Sequence, residues 1–360
     1  MLENIHIQNF RCFEDFKADG FERINLIGGK NNSGKSCLLE AIACLSSKFF
    51  ETQIAQMREL NQGPEILINK NASSQNLSIS TFDGDLEHKF SVMLDNQCKW
   101  AGVNQRAKLD INYINQKTEL PILNILQSFD ELDAKLIKKK LIKILNVVDS
   151  RIEDMRTFST KNGLFIKLNN SVYEPLSNFG DATKNIIRYF TPIFEKELLT
   201  NNQFLSILLI DEIENGIHYT VLSDFWKSVF KLSKELNVQV FATTHSLEMI
   251  TAFNEVAKEE CEGAYFEMMR NEQNNIKILK HNSSALEEEI EVGSNFRGEV
   301  YRDKLELNQD LVNTLQESLN KAKKNAKENN IALPFIKNGK LYELNPDGTE
   351  SLIKDLELEK

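Results

Sequence analysis

One stretch constrains this chain more than any other. From Ile24 to Ile42 it reads INLIGGKNNSGKSCLLEAI. An apolar run meets a glycine pair, then a polar loop ending in Gly-Lys-Ser, then apolar residues at helical spacing. A strand that enters a glycine-rich loop and leaves as a helix is one half of a strand–helix–strand unit, and such units build parallel sheets covered by helices. The pattern predicts strands over 3–9 and 22–28 and a helix over 35–48.

The loop itself, Gly29 to Ser36, fits G-x-x-x-x-G-K-[ST]. A triphosphate is held by several backbone N–H groups at once, and glycines let the backbone approach. The helix that follows adds free N–H groups and a dipole that favours anions. We therefore expect Gly29, Asn31, Asn32, Ser33, Gly34, Lys35, Ser36 and Cys37 to bind a triphosphate. In this arrangement Lys35 carries the charge to the β- and γ-phosphates, and Ser36 offers a hydroxyl to Mg²⁺.

A second element completes the pattern. QFLSILLIDE (203–212) is an apolar strand ending in two acids. Asp211 suits holding Mg²⁺, and Glu212 suits polarising the attacking water. The next apolar strand, VQVFATT (238–244), ends at His245, which is placed to sense a γ-phosphate. Ser246 beside it reads equally well as a helix N-cap. Further helices are expected over 181–199, 217–236 and 246–254, with strands at 151–158, 163–168 and 171–174. Residues 76–116 look mostly strand-like, with a turn at Asp83-Gly84-Asp85. Residues 120–147 show helical spacing with a lysine-rich face, 303–330 read as a polar amphipathic helix, and PFIKNGKLYELNPDG as a closing hairpin turning at Asn338-Gly339.

Together these motifs resemble the ABC-type ATPases of the RecF, SMC and overcoming-lysogenisation-defect (OLD) branch. IHIQNFRCFEDF (5–16) resembles its N-terminal strand pair, GKNNSGKS its Walker A, and ILLIDEIENGIH (207–218) its Walker B and D-loop, with Glu214, Gly216 and His218 in an E-x-G-[IL]-H pattern. ATTHS (242–246) resembles its H-loop. EPLSNFGDATKNIIRYF (174–190) resembles the OLD-like signature, with Ser177, Gly180 and Asp181 retained and Ala182 in place of the last glycine. The resemblance implies an α/β fold: an ABC-type P-loop NTPase head with a mixed/parallel sheet flanked by helices, plus a helical insertion and a small C-terminal helix-hairpin extension. The implied domains are the N-terminal part of the head over 1–119, the insertion over 120–150, the C-terminal part of the head over 151–293, and the extension over 294–360.

It also implies that the triphosphate is ATP, and it implies a head-to-head dimer or higher homo-oligomer, in which Ser177, Gly180 and Asp181 of one chain touch the γ-phosphate held by the other. Arg11 lies where this branch often places a basic residue facing the nucleotide, and Gln53, Gln56 and Gln62 compete for the Q-loop position. The residues after 294 lack a D-x-D following an apolar strand, so no Toprim nuclease is expected. A separate effector protein, such as a nuclease, is the implied partner, with anti-phage defence the implied setting. A RecF-like DNA repair or maintenance ATPase is the alternative.

Composition narrows the rest. The formal net charge is −10, so nucleic-acid binding would need a local basic patch. Lys135, Lys138, Lys139, Lys140 and Lys143, and Lys321, Lys323, Lys324 and Lys327, could form one, although lysine runs on amphipathic helices are usually solvated faces. Five cysteines without C-x-x-C spacing, no apolar leader and no long apolar span point to a cytoplasmic protein without membrane contact.

Overall fold

The strand that carries the glycine-rich loop is buried along its whole length. A computed structural model describes residues 1–46, 67–69, 76–84, 86–94, 100–105, 109–114, 137–158, 161–169, 172–199, 206–271, 275–291, 333–337, 340–344 and 350–355. The chain divides into two units, Met1–Val300 and Tyr301–Lys360.

In the first unit, a six-stranded sheet runs in the order Ile276–His281 (β14), Gly263–Arg270 (β13), Ile24–Gly29 (β3), Val238–Thr243 (β12), Ser206–Ile210 (β11) and Asp110–Ile114 (β7). Strands β13 to β7 are parallel, and β14 joins the edge antiparallel. An antiparallel sheet runs in the order Phe13–Asp19 (β2), Asn4–Phe10 (β1), Asn76–Asp83 (β4), Leu86–Leu94 (β5) and Trp100–Gln105 (β6). A smaller antiparallel sheet joins Tyr173–Pro175 (β10), Lys161–Leu168 (β9) and Ile152–Phe158 (β8). The helices are Lys35–Ala43 (α1), Ile137–Val148 (α2), Asp181–Leu199 (α3), Leu222–Glu235 (α4), Leu247–Glu260 (α5) and Ser283–Glu291 (α6).

Successive residues of a strand point to opposite faces, and a parallel sheet is covered on both. Leu26, Leu208, Ile210, Val240 and Ala242 enter one core with Phe225 and Trp226 of α4 and Phe253 of α5. Their neighbours Ile27, Ile207, Leu209 and Phe241 enter a second core with Leu38, Leu39 and Ile42 of α1 and Ile5, Ile7, Phe90 and Val92 of the antiparallel sheet. Each buried Val, Leu, Ile or Phe among them contributes about 1.5–3 kcal/mol on burial. The polar residues inside the central strands have partners. Gln239 exchanges two 2.8 Å hydrogen bonds with the Leu2 backbone and donates a third to the Glu22 carbonyl. Asn25 accepts from Glu22 N at 2.8 Å and donates to Val240 O at 3.2 Å. These bonds pin the N-terminus to the sheet that carries the loop.

Several expectations shift. β7 lies within the strand-like run 76–116 but pairs in parallel with β11 rather than extending the antiparallel sheet. β13, β14 and α6 had no counterpart in the sequence pattern. The lysine-rich helix is not one solvated face: Lys138 is buried and forms an ion pair with Asp154 at 2.7 Å, and Lys140 reaches Glu235 at 3.4 Å. Lys139 and Lys143 are exposed. Lys135 and the three glutamines at 53, 56 and 62 lie outside the described residues, as do residues 303–330 with the second lysine run. In the second unit, Leu333–Lys337 (β15), Lys340–Leu344 (β16) and Glu350–Asp355 (β17) form an antiparallel sheet in that order, so the expected hairpin gains a third strand. No described helix is long and apolar enough to cross a membrane.

Candidate nucleotide-binding site

Because β3, β12 and β11 are parallel neighbours, their C-terminal ends lie side by side, where open α/β sheets place ligands. The glycine-rich loop leaves β3, Thr243-Thr244-His245 leaves β12, and Asp211-Glu212 leaves β11. Backbone bonds from Thr244 N to Ile27 O and from Ile213 N to Thr243 O, both 3.0 Å, hold the three ends in register.

The loop needs its glycines. Gly29 has φ 130°, and a Cβ there would sit 2.2 Å from the Met268 carbonyl oxygen of β13. The loop therefore presses against a neighbouring strand that a side chain would push away. Lys35 is buried, and its Nζ donates to Gly29 O at 2.8 Å and Lys30 O at 2.7 Å. Burial lowers its pKa to about 8, against the opposing pull of Asp211, Glu214 and Glu212. The Ser33 hydroxyl is buried with no hydrogen-bond partner among the described residues. A buried ammonium, an unpartnered hydroxyl and a bare loop suit a polyanion.

The acids are positioned from three sides. Ser36 Oγ donates to Asp211 Oδ1 at 3.1 Å, and Thr243 Oγ1 donates to the same oxygen at 2.6 Å. One hydroxyl and one carboxylate are hard oxygen donors of the kind Mg²⁺ takes together with phosphate oxygens. At Glu212 the backbone adopts φ 56°, outside the usual range for a non-glycine residue. This turn separates the two adjacent carboxylates. It is held by Glu212 N donating to Thr243 Oγ1 at 2.8 Å, and the side chain by Asn215 Nδ2 donating to Glu212 Oε2 at 3.1 Å. His245 N donates to Glu214 Oε1 at 2.7 Å, while Ser246 Oγ caps α5 by accepting from Met249 N at 3.1 Å. The two readings of the His245-Ser246 pair are thus compatible.

Asn31, Asn32, Gly34, Lys35, Ser36, Cys37, Glu212 and His245 line one cleft of about 720 Å³, together with Cys12 and Arg270. Gly29 and Ser33 lie buried in the loop, and Asp211 is reached through Ser36. Ser177, Gly180 and Asp181 do not line that cleft. Ser177 lies in a 3₁₀ turn, Leu176–Asn178, and all three are exposed. The start of α3 packs on the D-loop instead, where a Cβ on Gly216 would come 2.9 Å from Ala182 N and from Asp181 Cβ. Asp181, Asn185, Arg188, Asp211 and Asn215 line a second cleft of about 350 Å³. Arg11 is held in an ion pair with Glu40 at 2.5 Å. Thr243, Asn215 and Arg270 escaped the sequence reading: Thr243 and Asn215 lay inside quoted motifs without a role, and Arg270 carried no local signal.

Residues 1–174 and 69–250 match a family model described as AAA ATPase domain. An ATP/GTP phosphatase of Helicobacter pylori is 25% identical over 338 residues, covering 72% of this chain and 89% of that protein. The DNA replication and repair protein RecF of Francisella tularensis subsp. novicida is 25% identical over 227 residues, covering 52% of this chain and 62% of that protein. Among solved structures, an Smc head bound to the C-winged helix domain of ScpA superposes with a TM-score of 0.51 at 14% identity, over 81% of this chain and 99% of that one. That likeness concerns the fold.

Proposed function

Since the chain belongs to the AAA ATPase domain family and is an ABC-type, RecF- and SMC-like ATPase, we propose that it is an ATP-driven switch: two copies close over nucleotide, hydrolysis separates them, and the cycle controls a separate effector protein. The observation that carries the switch chemistry is the contact between Ser36 on the loop helix and Asp211 on β11, with Glu212 turned beside it. ATP supplies the phosphoanhydride that is cleaved. Lys35 takes up phosphate charge, Ser36 and Asp211 hold Mg²⁺, Glu212 orients water and accepts its proton, and His245 donates to the terminal phosphate. Ser177, Gly180 and Asp181, exposed and outside the cleft that Lys35 lines, act on the nucleotide of the other copy. A cytoplasmic role in anti-phage defence follows from the OLD-like sequence features.

A RecF-like repair or maintenance ATPase with DNA as the direct ligand is the competing reading, and the similarity to RecF favours it equally. Steady-state ATP hydrolysis with and without duplex DNA, at one fixed salt concentration, separates the two. Effector control predicts turnover indifferent to DNA. Stimulation by DNA that falls in a Lys139→Glu/Lys143→Glu variant would make DNA the input. In both readings Lys35→Ala abolishes nucleotide binding; retained affinity would overturn the site.

A further inference from the structure

The sheet order places an arginine where the linear motifs gave no reason to look. β13 runs beside β3 with Met268 opposite Gly29, so Arg270, two residues on, stands beside the glycine-rich loop. It lines the same cleft as Asn32, Lys35 and Cys37. We propose that Arg270 binds the nucleotide at the α-phosphate end of the cleft, an inference that rests on the ATP-site reading above.

Three observations carry it. First, the Arg270 Nε is buried with no hydrogen-bond partner among the described residues. A guanidinium nitrogen shielded from water without an acceptor is costly, and a phosphate oxygen is the acceptor that its planar fork fits. Second, the other arginine near the loop, Arg11, does not line the cleft: its Nη1 pairs with Glu40 at 2.5 Å, and its own Nε is buried outside that lining set. Third, the sheet orders the cleft. Glu212 and His245 leave β11 and β12 on one side of β3, whereas Arg270 leaves β13 on the other. A triphosphate with its γ-phosphate among Glu212, His245 and Lys35 extends past the N-terminus of α1, whose amides cradle the α- and β-phosphates, toward the β13 side. Cys12 and Cys37 line the same cleft.

The test is titration calorimetry of the full chain with ATP and with ADP. Arg270→Met is expected to weaken both by the same factor, about 10- to 100-fold, because both carry the α-phosphate. A loss confined to ATP would move Arg270 to the γ-phosphate and overturn the placement, and unchanged affinity for both would overturn the contact. If Arg270→Met fails to fold, Arg270→Gln keeps a polar head at the buried position and carries the same expectation. Lys35→Ala, run in parallel, keeps the two readings distinguishable. Its retention of wild-type affinity would sink the nucleotide site itself, whereas its loss of affinity beside an unaffected Arg270 variant would sink only the present inference.

Discussion

The Ser36 hydroxyl donates to Asp211 Oδ1 at 3.1 Å although the two residues stand 175 positions apart in the chain. Thr243 shares that oxygen at 2.6 Å, so the carboxylate is aimed at the loop by groups from β12 and α1. Asp211→Asn keeps an acceptor for both hydroxyls and removes the charge. Turnover is expected to fall about 10²–10³-fold, with a higher Mg²⁺ requirement, while nucleotide binding without metal persists. A Mg²⁺ titration of ATP hydrolysis measures this, and an unchanged metal requirement would take Asp211 out of the metal role.

Glu212 is the second acid, separated from the first by its left-handed backbone and held by Asn215. Glu212→Gln retains the hydrogen-bond geometry but cannot accept a proton. Hydrolysis is expected to drop about 10²–10⁴-fold, with an ATP-dependent dimer accumulating in light scattering. Turnover equal to the native chain would assign the base elsewhere.

Asp154 accepts from Lys138 at 2.7 Å, from Arg156 at 2.8 Å and from the Tyr173 hydroxyl. Burial pushes its carboxyl up, but these donors outweigh burial and hold the pKa at about 2. A carboxyl depressed below its unfolded value of about 3.9 contributes stability above that value and loses it as pH falls toward the folded one. Asp154→Asn should cost about 1–3 kcal/mol at neutral pH, since Lys138 loses its buried countercharge. It should also flatten the loss of stability between about pH 4 and 2. Chemical denaturation at both ends of that range checks the pair, and an acid slope identical to the native protein's would remove Asp154 as its source.

Gly216 has φ 76° and lies against the first residues of α3. Gly216→Val demands both an unfavourable backbone and space that Asp181 and Ala182 occupy. The expected cost is about 1–3 kcal/mol, seen as a lower denaturation midpoint. A midpoint within experimental scatter of the native one would mean that the D-loop and α3 are not packed as described.

The central architecture was legible because the phosphate loop, the run SILLI and the run VQVFAT each carry their meaning locally. The segment 263–291 was not. GAYFEMMR contains Ala, Glu and Met, residues with stronger helical than strand preference, and it becomes a strand by pairing with β3. The same holds in the site. Lys35, Asp211 and Glu212 are announced by their neighbours in sequence, but Arg270 acts only through what the fold brings beside it. The lysine run over α2 misled for a related reason. Composition shows charge, whereas Asp154, which turns Lys138 inward, lies on β8 beyond the helix.

The two strands that flank β3 are made long after it. β12 begins at Val238 and β13 at Gly263, whereas β1 and β2 can pair with each other before β3 has even been synthesised. On the ribosome the apolar run ahead of the loop therefore waits, unpaired, through more than 200 residues of translation, a slow, non-local closure. A chain arrested before about residue 270 would carry every letter of the phosphate motif yet lack the complete β13 wall against which the motif takes its shape.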